Sequence, residues 1–231
     1  MIQKIPFRSW TGQPDLEVEI GAEFQKEPDG IKLGAAVKVA FKNGAKLDFA
    51  NLNGANLDFA NLNGAKLVGT NLIGANLDFA NLNGAKLVGT NLIGANLDFA
   101  NLNGAKLVGA KLVCASLVGA SLVGANLYGA SLVGTNLYGA NLDGALWGEN
   151  ITITLAPIQI FIPGYWSIWV LDRHMQIGCE IHTFDEWAAF DDRRIMEMDK
   201  SRALKFWRSY KPVLMAMCAT RSQESEKKAA E

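Results

Sequence analysis

Between Ala45 and Gly144 leucine recurs at every fifth position, twenty times in succession from Leu47 to Leu142. Two residues before each leucine stands a small residue, Ala or, at positions 70, 90 and 135, Thr. A period of five matches neither the helical period of 3.6 nor the strand period of 2. A fixed period sustained over this length is the signature of a solenoid, whose units bury their apolar faces only by stacking on their neighbours. Residues two apart share one side of an extended segment, so the leucine and its small partner point the same way. The glycine closing most units admits the positive φ of a tight turn. Each pentapeptide is therefore expected to be a short extended side followed by a corner.

A longer period specifies how many sides there are. Residues 55–74 and 75–94 are identical, and 95–109 repeat the first fifteen of them. Twenty residues make four pentapeptides, or one coil. Coils stacked at ~4.8 Å give a rod of roughly 25 Å for about five coils. The consensus Ala-Asn-Leu-x-Gly resembles that of the pentapeptide-repeat family, over about half of the chain. The resemblance implies a mainly β fold, a right-handed quadrilateral β-helix with the leucine and the preceding small residue inward. The expected organisation is an N-terminal β-hairpin and capping helix at 1–44 and the β-helix at 45–149. A small α+β C-terminal domain follows at 150–222, and a charged, frayed tail at 223–231.

The flanking segments read as follows. Ile2, Ile5 and Phe7, a turn at Ser9–Pro14, then Leu16, Val18 and Ile20 predict a hairpin. Ile31–Phe41 has helical spacing with Asp29 as N-cap, and such a helix would cover the first coil. Trp147 takes the slot of the next leucine. Strands are expected at Ile151–Leu155, Ile158–Ile162, Tyr165–Leu171 and Met175–Ile181. Thr183 and Glu186 form a capping box opening a helix through Trp187 and Phe190. Further helices are expected at Asp191–Met198 and Lys200–Arg221, the latter kinked or split at Pro212. The stretch HMQIGCEIHTFDEWAAF is similar to a block that follows pentapeptide repeats in phage and prophage proteins, which implies a phage-encoded protein in the cytoplasm of a bacterial host.

The outward positions carry the functional reading. Following each leucine, the twenty-residue period sorts side chains into four walls. One carries Asp48, Val68, Val88, Val108 and Tyr128, and its neighbour Asn53, Ile73, Ile93, Val113 and Val133. The others carry Asp58, Asp78, Asp98, Val118 and Tyr138, and Asn63, Asn83, Asn103, Val123 and Asp143. Contiguous outward apolar area marks a contact surface, either with a second copy or with the C-terminal part. The alternative is that short aliphatics simply suit an extended backbone. Phe59, Phe79 and Phe99 recur at one corner, where a structural role is expected, and the outward asparagines are expected to form ladders of like side chains.

Charge narrows the function further. The chain has 22 Lys and Arg against 23 Asp and Glu. Members of the family mimic double-stranded DNA and bind DNA gyrase, which needs an acidic face standing in for phosphates. Here Lys46, Lys66, Lys86, Lys106 and Lys111 balance Asp48, Asp58, Asp78, Asp98 and Asp143. That balance argues against mimicry and against a nucleic-acid partner. Three cysteines form no disulfide framework and suit a reducing compartment. No signal core opens the chain and no run of apolar residues is long enough to span a membrane.

His174, Cys179 and His182 are the sole cluster with metal-binding or nucleophilic atoms. They could supply three ligands, or a thiol with its base. A fourth ligand is lacking, and strand alternation would place Cys179 inward with Ile177 and Ile181, so structural packing is the expected role. No phosphate-binding loop, Ser-His-Asp arrangement or dinucleotide fingerprint is present. The sequence thus reads as a non-enzymatic interaction or scaffold protein without cofactor. Its candidate surface is Val68, Val88, Val108, Tyr128, Ile73, Ile93, Val113, Val133 and Tyr138. A homo-oligomer, a dimer in particular, is expected, with the protein partner otherwise unspecified. Inhibition of a host DNA-binding enzyme and a metal-binding C-terminal domain are the alternatives.

Overall fold

A computed structural model describes residues 1–7 and 11–230. It divides into two compact units, Met1–Thr152 and Ile153–Glu231. Strands β1 (Ile2–Ile5) and β2 (Leu16–Glu19) pair antiparallel, Ile2 facing Glu19 and Ile5 facing Leu16. Part of the turn expected at Ser9–Pro14 lies outside the described residues. Helix α1 (Asp29–Lys42) begins two residues earlier than expected, and Asp29 is its first residue, not its cap. Pro28 holds the N-cap position, where a ring with no N–H forfeits nothing.

The repeat forms a stack of coils. Parallel bridges join residues twenty apart, as in Asn56 to Asn76 to Asn96 to Ser116 to Asn136. Within a wall the Leu57 N–H donates to the Asn76 carbonyl at 2.7 Å and the Phe59 N–H to that of Asp78 at 2.9 Å. The Asn76 N–H returns to the Ala55 carbonyl at 3.0 Å. At each corner an N–H reaches back three residues, Ala60 to the Leu57 carbonyl at 3.0 Å. The backbone is thus saturated between coils, and all twenty leucines lie inside, none more than 9% exposed. Leu57, Leu77 and Leu97 occupy successive coils on one wall.

Helix α1 closes the first coil through backbone contact. The Asn56 N–H donates to the Gly30 carbonyl at 2.8 Å. A Cβ on Gly34 would stand 1.8 Å from the Asn56 carbonyl oxygen, so glycine is what allows the approach. Lys38 adds a hydrogen bond to the Asp58 carbonyl at 2.9 Å and an ion pair with its carboxylate at 3.2 Å. On another side Phe7 bridges Ala50, and the Asn51 N–H donates to the Pro6 carbonyl at 2.7 Å. A first coil otherwise presents a free edge, and these contacts cover it. The repeat runs out in strand β3 (Ala145–Gly148), where Trp147 is buried, followed by β4 (Ile151–Ile153).

The second unit is α+β. Strands β5 (Ile158–Ile160), β6 (Ile168–Val170), β7 (His174–Ile177) and β8 (Glu180–Thr183) form an antiparallel sheet in sequence order. Helix α2 (Phe184–Ala189) opens with a complete capping box: the Glu186 N–H donates to Thr183 Oγ1 at 3.2 Å, and the Thr183 N–H to Glu186 Oε2 at 2.8 Å. Helix α3 spans Asp192–Ala229 and is broken at Asp199 and Lys200, whose φ, ψ are −152°, 50° and 47°, −138°. The core gathers Ile168, Val170, Met175, Phe184, Trp187, Phe206, Trp207 and Leu214.

Two expectations are corrected here. Pro212 does not split α3: the helix runs on through it, with the proline on the exposed face. Residues 223–229 are helix, not a frayed tail. Buried Arg221 anchors that end: its Nη2 donates to the Ala156 carbonyl at 2.6 Å and pairs with Asp172 at 3.6 Å, while Lys228 donates to the Thr154 carbonyl. Asp172 also accepts from the Thr154 N–H at 2.6 Å and its hydroxyl at 2.8 Å. The ion pair is thereby hydrogen-bonded on both sides, as burial of charge requires.

Candidate functional site

The outer surface of the repeat is built from columns rising coil by coil. Asparagine before the leucine does local work. Asn56 Oδ1 accepts from the Asp58 N–H at 3.1 Å, and Asn81, Asn101 and Asn141 accept likewise from the N–H two residues on. These are Asx turns, which pre-form the corner. The expected ladders of like asparagines give way to them; the contact of Asn96 with Asn76 is long, at 3.5 Å. The column after the leucine joins coils instead: Asp48 accepts from the Val68 N–H at 2.8 Å and Asp98 from the Val118 N–H at 2.9 Å.

Of the predicted surface residues, Val68, Val88, Val108, Ile93 and Val113 are half-buried within their walls. Ile73 is exposed, and exposure rises toward the end of the repeat, to 46% for Val133, 48% for Tyr128 and 80% for Tyr138. The apolar walls therefore offer their side chains most fully in the last coils. On the Asp wall, Asp58 is paired with Lys38 and Asp98 also receives Ser116 Oγ at 2.5 Å. Asp58 and Asp98 are thus engaged with the protein's own groups, Asp78 Oδ1 is buried without a hydrogen-bond partner, and all three are half-buried, so the wall is not an open acidic stripe.

One corner carries a different device. Phe59, Phe79 and Phe99 stack with centroids 5.0 Å apart and planes 4° and 11° from parallel. Their φ values of 51°, 53° and 55° lie in the region glycine occupies at most of the other corners, Phe49 and Cys114 being the further exceptions. The Phe99 ring covers Gly119, where an added Cβ would come within 2.6 Å of it. The ladder thus ends on a bare corner. The sequence marks the column, but not the backbone strain it carries.

In the second unit the structure separates His174, Cys179 and His182. Register pairs His174 with Thr183 and Met175 with His182, so the two imidazoles lie on opposite faces of the sheet. Gly178, at φ 60°, turns the chain between β7 and β8 and leaves Cys179 exposed, not inward as alternation implied. Among the described residues no group of three or more His, Cys, Asp and Glu is disposed to hold a metal ion. His182 instead sets its ring edge-to-face with Trp187 and Phe190 and its Nε2 3.0 Å from Glu180. That contact, with Arg194 nearby, holds the Glu180 carboxyl below its ordinary range. Burial lowers the pKa of His174 and pushes the Cys218 thiol up to about 12, which makes that thiol inert. No described helix is long and apolar enough to cross a membrane.

Comparison with known proteins falls on the repeat. A family model described as Pentapeptide repeats matches in 8 copies, at residues 43–78, 75–112 and 110–146. Among solved structures the chain is similar to the pentapeptide repeat protein Rfr23 from the cyanobacterium Cyanothece 51142, at 39% identity over 42% of this chain and 63% of that one, with a TM-score of 0.35. It is 37% identical to HetL of Nostoc sp. strain PCC 7120, a protein involved in heterocyst differentiation regulation, over 47% of this chain and 55% of that one, TM-score 0.23. It is 31% identical to alr5209 of Nostoc PCC 7120 over 50% of this chain and 86% of that one, TM-score 0.17. The chain spans less than two thirds of the first two proteins. No curated protein matches it.

Proposed function

Because this chain belongs to the pentapeptide-repeat family, we propose that it is a non-enzymatic protein–protein interaction and scaffold module acting through the outer walls of its solenoid. The observation that supports this most is the exposed apolar side chains at the end of the repeat: Tyr128 and Val133, which continue the columns of Val68 and Ile73, and Tyr138, which ends the column of Asp98 and Val118. Large side chains left in water along a rigid surface are characteristic of contact areas. The partner in this reading is a second copy of the chain, forming a homodimer. Columns repeat at the spacing of stacked strands, and a surface of the same pitch can meet several of them in register. The second unit contributes partner specificity, and residues 174–190 support a phage-encoded protein acting in the cytoplasm of a bacterial host.

Sedimentation velocity on the intact chain tests the reading. A concentration-dependent dimer is expected, and the double variant Tyr128→Lys, Val133→Lys is expected to sediment as a monomer with an unchanged circular dichroism spectrum. A wild-type chain that stays monomeric at every concentration contradicts the homodimer.

A further inference from the structure

The α+β unit contains a cavity of about 80 Å³ that the interaction reading leaves without a role. Ile177, Met198, Trp166, Trp187, Phe206 and Trp207 give it an apolar wall. Exposed Cys179 and Asp199 mark its open side. Polar groups around it are already matched. The Trp187 indole N–H donates to the Met175 carbonyl at 2.7 Å. Glu180 is held by His182 at 3.0 Å and Arg194 at 3.2 Å, and Asp199 by Arg202 at 3.7 Å. One is not: Trp207 is 3% exposed and its indole N–H has no acceptor. A buried donor without a partner loses its hydration with nothing in return.

A third feature lies at the same place. The break in α3 falls at Asp199 and Lys200, with Lys200 at a positive φ, and Met198 and Asp199 both line the cavity. Backbone held away from its favoured conformations concentrates at ligand clamps. We infer that this cavity binds a small neutral molecule with an apolar body and one accepting oxygen, which receives the Trp207 indole N–H. The acids at the open side are neutralised by the protein's own cations, so neither sign of ligand charge is favoured. A cavity of about 150 Å³ holds benzene, so this one takes a buried end of a few heavy atoms and leaves the rest of a ring toward the open side.

The test uses the full chain and two probes of similar shape, cyclopentanone and cyclopentane. The readout is the indole region of a proton–nitrogen NMR spectrum, where the chain's 6 tryptophans each give one signal. The Trp207 signal is assigned by its loss in Trp207→Phe. Cyclopentanone is expected to move it downfield along a saturable curve, and cyclopentane is not. Trp207→Phe should weaken binding of the ketone, followed at the other indole signals, by roughly three- to tenfold, the worth of one hydrogen bond. Ala203→Leu, which fills the cavity, should abolish it. The absence of a saturable shift in the wild-type chain, an equal response to both probes, or undiminished binding in folded Ala203→Leu overturns the inference.

Discussion

Phe79 sits in a conformation built for glycine, at φ 53°, and is held there by the rings above and below it. A non-glycine residue in this region costs about 1–2 kcal/mol. Removing the ring separates the two contributions. Phe79→Ala loses the stacking and keeps the strain; Phe79→Gly loses the stacking and relieves it. Denaturant unfolding should therefore find Phe79→Ala less stable than Phe79→Gly by about 1 kcal/mol, the reverse of what helix or strand propensity would give. Buried Thr90 makes a second residue-scale case, because its hydroxyl donates to the Leu67 carbonyl of the preceding coil at 2.7 Å. Thr90→Val keeps the shape and loses that bond, so the same measurement should show a loss of about 1 kcal/mol. The asparagines show where residue-level reading from sequence stops. Their identity and spacing are plain, but a side chain that can bond either its own turn or its copy in the next coil bonds the turn, two residues away and always present.

Elements in the second unit are governed by single backbone positions that periodicity does not report. Met175, Ile177, Cys179 and Ile181 alternate as one strand would, yet Gly178 turns the chain and makes two strands, β7 and β8. That one turn takes Cys179 out of the core and dissolves the candidate metal cluster. In α3 the sequence shows the gap between Met198 and Lys200 but offers Pro212 as the stronger breaker; the break falls at Asp199 and Lys200. The helix then continues through a polar run to Ala229 because Arg221 and Lys228 find carbonyls at Ala156 and Thr154, partners far away in sequence and invisible to composition. Lys200, at φ 47°, carries the strain of the break. Lys200→Gly should raise the stability of the chain by about 1 kcal/mol in thermal or denaturant unfolding, although glycine in a continuous helix would lower it by a similar amount. An unchanged or lowered stability would place the strain elsewhere.

At the scale of the molecule, the repeat divides its residues cleanly into inside and outside. The leucine period alone announced this division, since only one side of a closed coil can be dry, and the family model matches the same stretch. What the outside does follows from less regular features: engaged carboxylates, a stacked phenylalanine corner and apolar side chains that become more exposed toward the last coils. The second unit, with its own core and its own cavity, follows from contacts between segments that no repeat relates. The division between inside and outside is tested most directly by equilibrium unfolding of two lysine substitutions four residues apart, Leu97→Lys and Ile93→Lys. Leu97 is fully buried and Ile93 lies on an outer wall. The charge at 97 has no partner inside and should abolish cooperative folding, a loss above about 4 kcal/mol. The charge at 93 should leave the unfolding transition within about 1 kcal/mol of the wild type. Equal damage from the two, or a stable fold with lysine at 97, would contradict a tube whose axis is filled by leucine and whose walls alone are free to act.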